Sequence, residues 1–537
     1  MNLSGAAAPP TLVDTRDAAA CLDLVDRLPL TNTRETQQML GALLAAMARQ
    51  PPPPAGYLAV LEKARLPLAF IQSEVAQRYA AKPLPPAPGE EEAFRLVLAL
   101  WRAMGAAYAD VARLGGDSPA IQRSLALICQ RCVHYAGRVL IEYFRARREP
   151  AAGAWIDLHG YYATAEEWGL AAVAVAEPVA GPQVVQSSVQ AYAEVLLVDL
   201  SNPYSRSPRE LGWIIRWARH MAAFTAIQPR TPGGEPRAFG VDLMEDRATR
   251  PLELLAPRDS VRRFDTGGLT PELQRLLVAI RQNIPPVSLG LGDDCPTPAA
   301  GRLLLQLYRP WCLHALPRRF QRREASGVAE VCHGFEAIHF HVTDKEFDQP
   351  EHVRMYSRAD MERIWTFRDQ VDPTQRLQVS AVHAQLGYPT ERWEVADQSI
   401  SGFRLQRGAA GARIEHGQLF CLRPPDGEHF LLAQVSWYLM QEATGGLLAG
   451  VHVLAGRPQG IALRATGGAV SPSERYVRAF LLPAVPALKE PATLVLPRGW
   501  FQAERLVEVF TDRPARLRLA ELLAQGADFE RASFVRV

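Results

Sequence analysis

Long hydrophobic runs are missing from this chain. No stretch approaches the roughly 18 uncharged apolar residues that a membrane-crossing helix needs. The most alanine- and valine-rich segment, Leu170–Gln186, is broken by Glu177, Pro178 and Pro182. The opening residues, MNLSGAAAPPTLVDTRD, carry no basic stretch ahead of an apolar core, so no secretory signal is expected. Cysteine is scarce: seven in 537 residues, odd in number and scattered, do not make a disulfide framework. A cytoplasmic address is the expectation. An excess of charge of either sign is missing too, with 59 basic side chains against 57 acidic ones. That balance excludes a global field for gripping DNA or an anionic membrane, so any anion site has to be local.

Catalytic signatures are also missing. No G-x-S-x-G or H-E-x-x-H occurs. Gly290-Leu291-Gly292-Asp293-Asp294-Cys295 lacks the third glycine and the preceding strand of a dinucleotide fingerprint, and it lacks the Lys-Ser/Thr of a P-loop. Cys129-Gln130-Arg131-Cys132 lies inside an apolar helical stretch with no second CxxC at zinc spacing, so core or helix-surface cysteines are expected. His339 and His341 would alternate on one face of an expected strand, Ala337–Val342, as metal ligands do, but no third ligand lies nearby. Neither an enzyme nor a metal protein is expected. A hydrolase built on that histidine face would require bound metal.

What is present is globular: 48% hydrophobic and 22% charged residues, in a chain long enough for several domains. The expected fold class is α+β multidomain, an all-helical N-terminal region followed by a small antiparallel β-barrel. Residues 1–255 read mainly as helices. Pro51–Pro54 and Lys82–Gly89 punctuate amphipathic stretches at Tyr57–Tyr79 and Glu90–Arg113. Further helices are expected over Ala120–Arg145, Gln190–Asp199 and Pro208–Phe224. Trp155-x-x-Leu158-His159-x-x-Tyr162 echoes the first helix of a tetratricopeptide repeat, but no recurrence at about 34 residues supports one. Residues 256–316 form a connecting segment with helices at Pro271–Gln282 and Ala300–Leu307.

From Val328 onward short alternating and β-branched runs dominate: Val328–His333, Ala337–Val342, Arg404–Gln406, Leu419–Leu422, Leu431–Tyr438, Leu447–Leu454 and Thr493–Leu496. Pro424-Pro425-Asp426-Gly427 and Ala443-Thr444-Gly445-Gly446 are turns between them. The barrel is expected over 317–485, with an insertion at about 343–392 that holds a helix at Arg358–Val371. Residues 486–537 are an expected extension packing on it, and Arg498–Val537 reads as a helix plus a short strand.

Two short motifs carry the chemistry. Arg318, Arg319, Arg322 and Arg323 put four guanidinium groups within six residues of a nearly neutral chain. Arginine grips phosphate bidentately and matches the O6/N7 edge of guanine, so a ligand carrying both would use every one of those features. Downstream, Asp397-Gln398-Ser399-Ile400-Ser401-Gly402 opens onto a strand. A carboxylate accepts from guanine N1–H and N2–H, a serine hydroxyl serves a phosphate or a base, and glycine permits a tight turn. Taken singly, the first motif also fits a solvated basic turn and the second any polar turn.

Together, in this order, they resemble the PilZ domain family, whose signature is RxxxR before a six-stranded barrel and D/N-x-S-x-x-G on it. Leu431–Trp437 and Gly445–Val453 resemble that family's closing hairpin, so the likeness spans roughly 317–460. The resemblance implies a bacterial receptor for the second messenger cyclic di-GMP. The implied binders are Arg318 with Arg322, or Arg319 with Arg323, together with Asp397, Ser399 and Gly402. Both registers satisfy RxxxR. With no GGDEF- or EAL-type signature, such a protein reads the messenger and neither makes nor destroys it. The expected mechanism is a ligand-driven ordering of 317–324 onto the barrel, passed to a protein partner through residues 1–255. The alternative is a helical scaffold with a structural barrel, its arginines contacting protein or RNA.

Overall fold

The computed structural model describes residues 14–80, 82–230, 238–313, 323–350, 387–399, 401–466, 475–511 and 513–537. The chain divides into two compact units, one of residues 1–82 and 86–317, the other of 83–85 and 318–537.

The first unit is mainly helical. Its helices are α1 (Ala18–Asp26), α2 (Thr33–Arg49), α3 (Pro54–Ala76), α4 (Pro88–Leu114), α5 (Pro119–Arg145) and α6 (Ala154–Glu167). A two-stranded ribbon, β1 (Val175–Ala176) with β2 (Val185–Gln186), precedes α7 (Ser188–Leu200) and α8 (Pro208–Met221). The start of α8 was legible in sequence. Ser207 accepts from the Glu210 N–H while Glu210 reaches back to the Ser207 N–H, and Pro208 occupies the first turn, where its missing N–H costs nothing. The chain also forms a four-stranded sheet of order β3-β6-β4-β5, from β3 (Ala226–Pro229), β4 (Phe239–Asp242) and β5 (Arg250–Pro251) in the region read as helical and β6 (Val261–Asp265) in the connecting segment. Helices α9 (Leu269–Arg281) and α10 (Thr297–Cys312) follow, so the connecting segment belongs to this unit.

Helix α5 organises the unit. Ile128, Cys132, Tyr135, Val139 and Tyr143 enter one apolar core with α1–α4, while Val133, Ala136, Leu140 and Phe144 enter a second with α6–α10. These two sets are offset by one residue along a 3.6-residue period, so both faces of α5 are covered. That explains the CxxC: Cys129 and Cys132 are buried, and burial pushes the Cys129 thiol up to about 11.

The second unit holds two barrels. Six strands form the first: β8 (Val328–His333), β9 (Glu391–Ser399), β10 (Gly402–Arg407), β11 (Leu419–Arg423), β12 (Leu431–Met440) and β13 (Leu447–Val453). They run β10-β13-β12-β11-β8-β9, and pairing of β9 with β10 closes the ring. A short strand, β7 (Arg323–Glu324), precedes β8 and also pairs with β9. Alternate residues fill the interior, among them Ala329 and Val331, Trp393 and Val395, Ala433 and Val435, and Leu447, Ala449 and Val451. Residues 83–85 belong here because Leu84 exchanges backbone hydrogen bonds with Ile414, at 2.9 and 2.7 Å, and buries its side chain in this core.

Between β8 and β9 lies α11 (Phe335–Thr343), where the sequence reading placed a strand. Gly334, at φ +84°, ends β8, and Phe335, Ile338 and Val342 then pack with helical spacing. On a helix, two positions apart is more than half a turn, so His339 and His341 diverge. His339 packs on Phe347 and Phe480, whereas His341 Nε2 contacts the Tyr388 carbonyl at 3.0 Å. The metal face is thereby lost. Among the described residues no cluster of three or more His, Cys, Asp or Glu side chains could hold a metal. The expected helix at 358–371 lies outside the described residues.

The second barrel is β14 (Gln459–Ala465), β15 (Val477–Leu482), β16 (Thr493–Pro497), β17 (Leu506–Phe510), β18 (Pro514–Gln525) and β19 (Phe529–Arg536), closed in the order β14-β15-β16-β19-β18-β17. Residues 486–537, read from sequence as an extension with a terminal helix, supply four of its strands. The segment Arg516-Leu517-Arg518-Leu519-Ala520-Glu521-Leu522-Leu523-Ala524-Gln525 is made of good helix formers, but pairing with β17 and β19 holds it extended.

The barrels share an apolar junction of Cys332, Ile338, Leu419, Cys421, Phe480, Leu482, Val495 and Phe529. Asp528 accepts the Leu419 N–H there at 2.8 Å, and burial pushes its carboxyl up to about 6. A folded value above the ordinary 3.8 means that the junction favours the protonated acid. Its stabilisation is complete below the ordinary value and is lost as pH rises through about 6. Asp528→Asn is therefore expected to melt higher than the parent at about pH 7.5, the advantage vanishing near about pH 4. Thermal melts across that range check it, and a pH-independent difference would contradict the assignment.

Candidate ligand-binding site

Strands β7 and β8 run along the same edge of β9 as one interrupted strand. Arg323 and Glu324 pair with Gln398 and Asp397, and Val328 onward pairs with Glu394 onward. The break falls at Gly327, whose φ of +134° suits glycine and whose Cα lies against Pro425. Arg323, the last residue of the arginine-rich motif, thus lies in the barrel wall beside the acidic serine-glycine motif. Of its members, Arg323 is described and exposed, while Arg318, Arg319 and Arg322 lie outside the described residues.

On the other side of β9, Asp397 pairs with Arg404 and Gln398 with Phe403. Side chains alternate along each strand, so Glu324, Asp397 and Arg404 form one row across β7, β9 and β10. Arg323, Gln398 and Phe403 form the neighbouring row on the opposite face. The Asp397 carboxylate sits 3.0 Å from Arg404 Nε and is largely buried, while the Arg404 side chain is 42% exposed. Arg404 had no place in the sequence reading. Its position directly across the hairpin from Asp397 was the available signal, and it needed the register of β9 against β10.

Ser399 and Gly402 are the closing pair of the β9–β10 hairpin, and the Ser399 hydroxyl donates to the Gly402 carbonyl at 3.3 Å. Gly402 also pairs with His452 on β13. A Cβ at Gly402 would collide with the Val451 carbonyl oxygen, so the glycine serves close backbone packing. On β12 and β13, Trp437 lies over Gly450, where a Cβ would meet the indole. Asp397, Ser399 and Gly402 are thus brought together at one end of the barrel, with Arg323 alongside. Chemically the arrangement offers a carboxylate acceptor, a hydroxyl and the Arg404 guanidinium on one face, with Arg323 at the same edge on the other.

An α+β protein with a helical unit and two six-stranded antiparallel barrels is the class that this architecture defines. Comparison with known proteins narrows it. Residues 19–232 match the family model described as the N-terminal domain of the cyclic-di-GMP receptor FimW, and residues 461–537 match the FimW C-terminal β-barrel domain. The second match coincides with β14–β19, and the two matches flank the barrel that carries the site. A curated relative from Pseudomonas aeruginosa strain PAO1, named Cyclic-di-GMP receptor FimW, is 25% identical over 418 residues, which cover 66% of this chain and 63% of the relative. The match thus spans less than two thirds of the relative's length. Among the described residues no helix is long and apolar enough to cross a membrane.

Proposed function

We propose that this chain is a receptor for cyclic di-GMP, held between the arginine-rich segment and the end of the first barrel that carries Asp397 and Ser399. The observation that supports the reading is the register of β7 on β9, in which Arg323, the last residue of the arginine motif, pairs with Gln398, between Asp397 and Ser399 in sequence. The similarity to a relative named as a cyclic-di-GMP receptor supports the same ligand. In this reading, Asp397 accepts from guanine N–H groups, Ser399 serves a phosphate or base, and arginine forks take phosphate and guanine O6/N7. Gly402 lets the hairpin lie close against β13. Of the two arginine pairs we favour Arg318 with Arg322. Arg323 shares its row with Gln398 and Phe403, on the opposite face to Asp397.

Arg404 holds the Asp397 carboxylate, so a guanine would compete for or join that ion pair. The helical unit would carry the signal to a protein partner. Its half-exposed Leu66 and Phe70, one turn apart on α3, supply apolar surface for one. Calorimetric titration of the full chain with cyclic di-GMP, and with cyclic di-AMP as control, tests the reading. Saturable heat with the first and none with the second is expected. Absence of heat with cyclic di-GMP, alongside a co-purifying protein or RNA, would replace it with the scaffold reading.

A further inference from the structure

Away from the barrels, the helical unit contains a cavity of about 130 Å³ between α3, α4, α5 and α8. Its walls include Arg65, Arg138, Arg219, His134, Trp101 and Tyr135, and among the described residues no carboxylate lines it. Carboxylates stand behind the arginines instead. Arg65 Nη2 is held by both Glu177 oxygens at 2.7 Å, Arg138 by Glu142 at 3.1 Å, and Arg219 by Glu194 at 3.2 Å. Each guanidinium is thereby fixed in place with N–H groups to spare.

Two buried donors make no hydrogen bond among the described residues: Trp101 Nε1, and Arg65 Nη1, whose ion-pair partner Glu62 stands off at 3.9 Å. Arg65 is fully buried and Trp101 nearly so. An unsatisfied donor of this kind costs free energy unless something fills its place. The imidazole of His134 is held well below its ordinary value, first by burial and then by the positive field of Arg65, Arg219, Arg138 and Arg131. Arg138 and Arg219 keep 18% and 27% of their side chains exposed, so the cavity has a route to solvent.

We infer that this cavity is a binding site for a tetrahedral oxyanion, a phosphate group either free or at the end of a larger ligand. Three fixed guanidinium groups and an indole N–H supply donors from several directions, as a tetrahedral dianion requires. The space suits a five-atom anion replacing several waters. The inference rests on nothing in the barrels.

Inorganic phosphate is the probe, titrated calorimetrically into the full chain against chloride at matched ionic strength. Saturable binding is expected, weakened at least about tenfold in the Arg138→Gln/Arg219→Gln variant. Both carboxylates stay partnered in that variant, Glu142 by Arg145 and Tyr79, and Glu194 by Gln186. Should the double variant fail to fold, Trp101→Phe removes a single donor, and a loss of about threefold or more is expected. No saturable heat beyond the chloride control, or unchanged affinity in the folded variants, would overturn the site. Guanosine monophosphate, a nucleotide that ends in a phosphate monoester, is then offered as competitor to protein lacking Arg318, Arg319, Arg322 and Arg323. Displacement would identify the occupant as a phosphate borne on a nucleotide, and its failure as free phosphate or another monoester.

Discussion

Alanine at both Arg318 and Arg322 is expected to lower affinity for cyclic di-GMP at least about 100-fold, with the fold intact. The magnitude follows from losing two charge-assisted contacts to phosphate or guanine, each worth about 1.5–3 kcal/mol where tenfold is about 1.4. The Arg319→Ala/Arg323→Ala pair is expected to lose less. Arg323 shares its row with Gln398 and Phe403, on the face opposite Asp397. Truncating Arg323 should barely touch stability, since the side chain is exposed and β7 is held through its backbone. Calorimetry with circular dichroism of both variants decides the matter. Undiminished affinity in both would remove the arginine segment from the site, whatever the wild-type protein binds.

The second large effect is in the helical unit. Glu177 and Arg65 are both almost wholly buried, and Glu177 also accepts from Arg131 Nη1 at 3.0 Å and Gln130 Nε2 at 3.3 Å. Glu177→Ala leaves two buried guanidinium groups sharing Glu62 alone, 3.9 Å from Arg65 and 2.8 Å from Arg131. Breaking a buried pair from one side costs about 3–5 kcal/mol, because the remaining charge keeps its desolvation penalty. A fall in melting temperature of roughly 10 °C is expected. Glu177→Gln retains the hydrogen-bonding shape and should lose less. A loss under about 1 kcal/mol would mean that solvent reaches the cluster.

How much was legible in the sequence depended on the range of the interaction concerned. Helix α8 was readable because Ser207, Pro208 and Glu210 cap it locally. Strands β12 and β13 were readable because apolar residues alternate between good turns. Helix α11 was misread, since its aromatic and β-branched residues suit a strand and only the break at Gly334 and the packing of Ile338 decide otherwise. Strand β18 was missed for the converse reason, helix formers held extended by neighbours on both sides. The motifs at 318–323 and 397–402 were visible as residue types. Arg404 opposite Asp397 was not, because a cross-strand ion pair exists only once register is fixed. The Arg65–Glu177 pair, 112 residues apart, has no local signature at all.

Helix α5 has a consequence for how the helical half comes apart. With Tyr135 and Val139 seated in one core and Ala136 and Leu140 in the other, neither core closes without the same helix in position. Melting either core strips the other of a wall, so the two are bound to a common transition and cannot act as separate foldons.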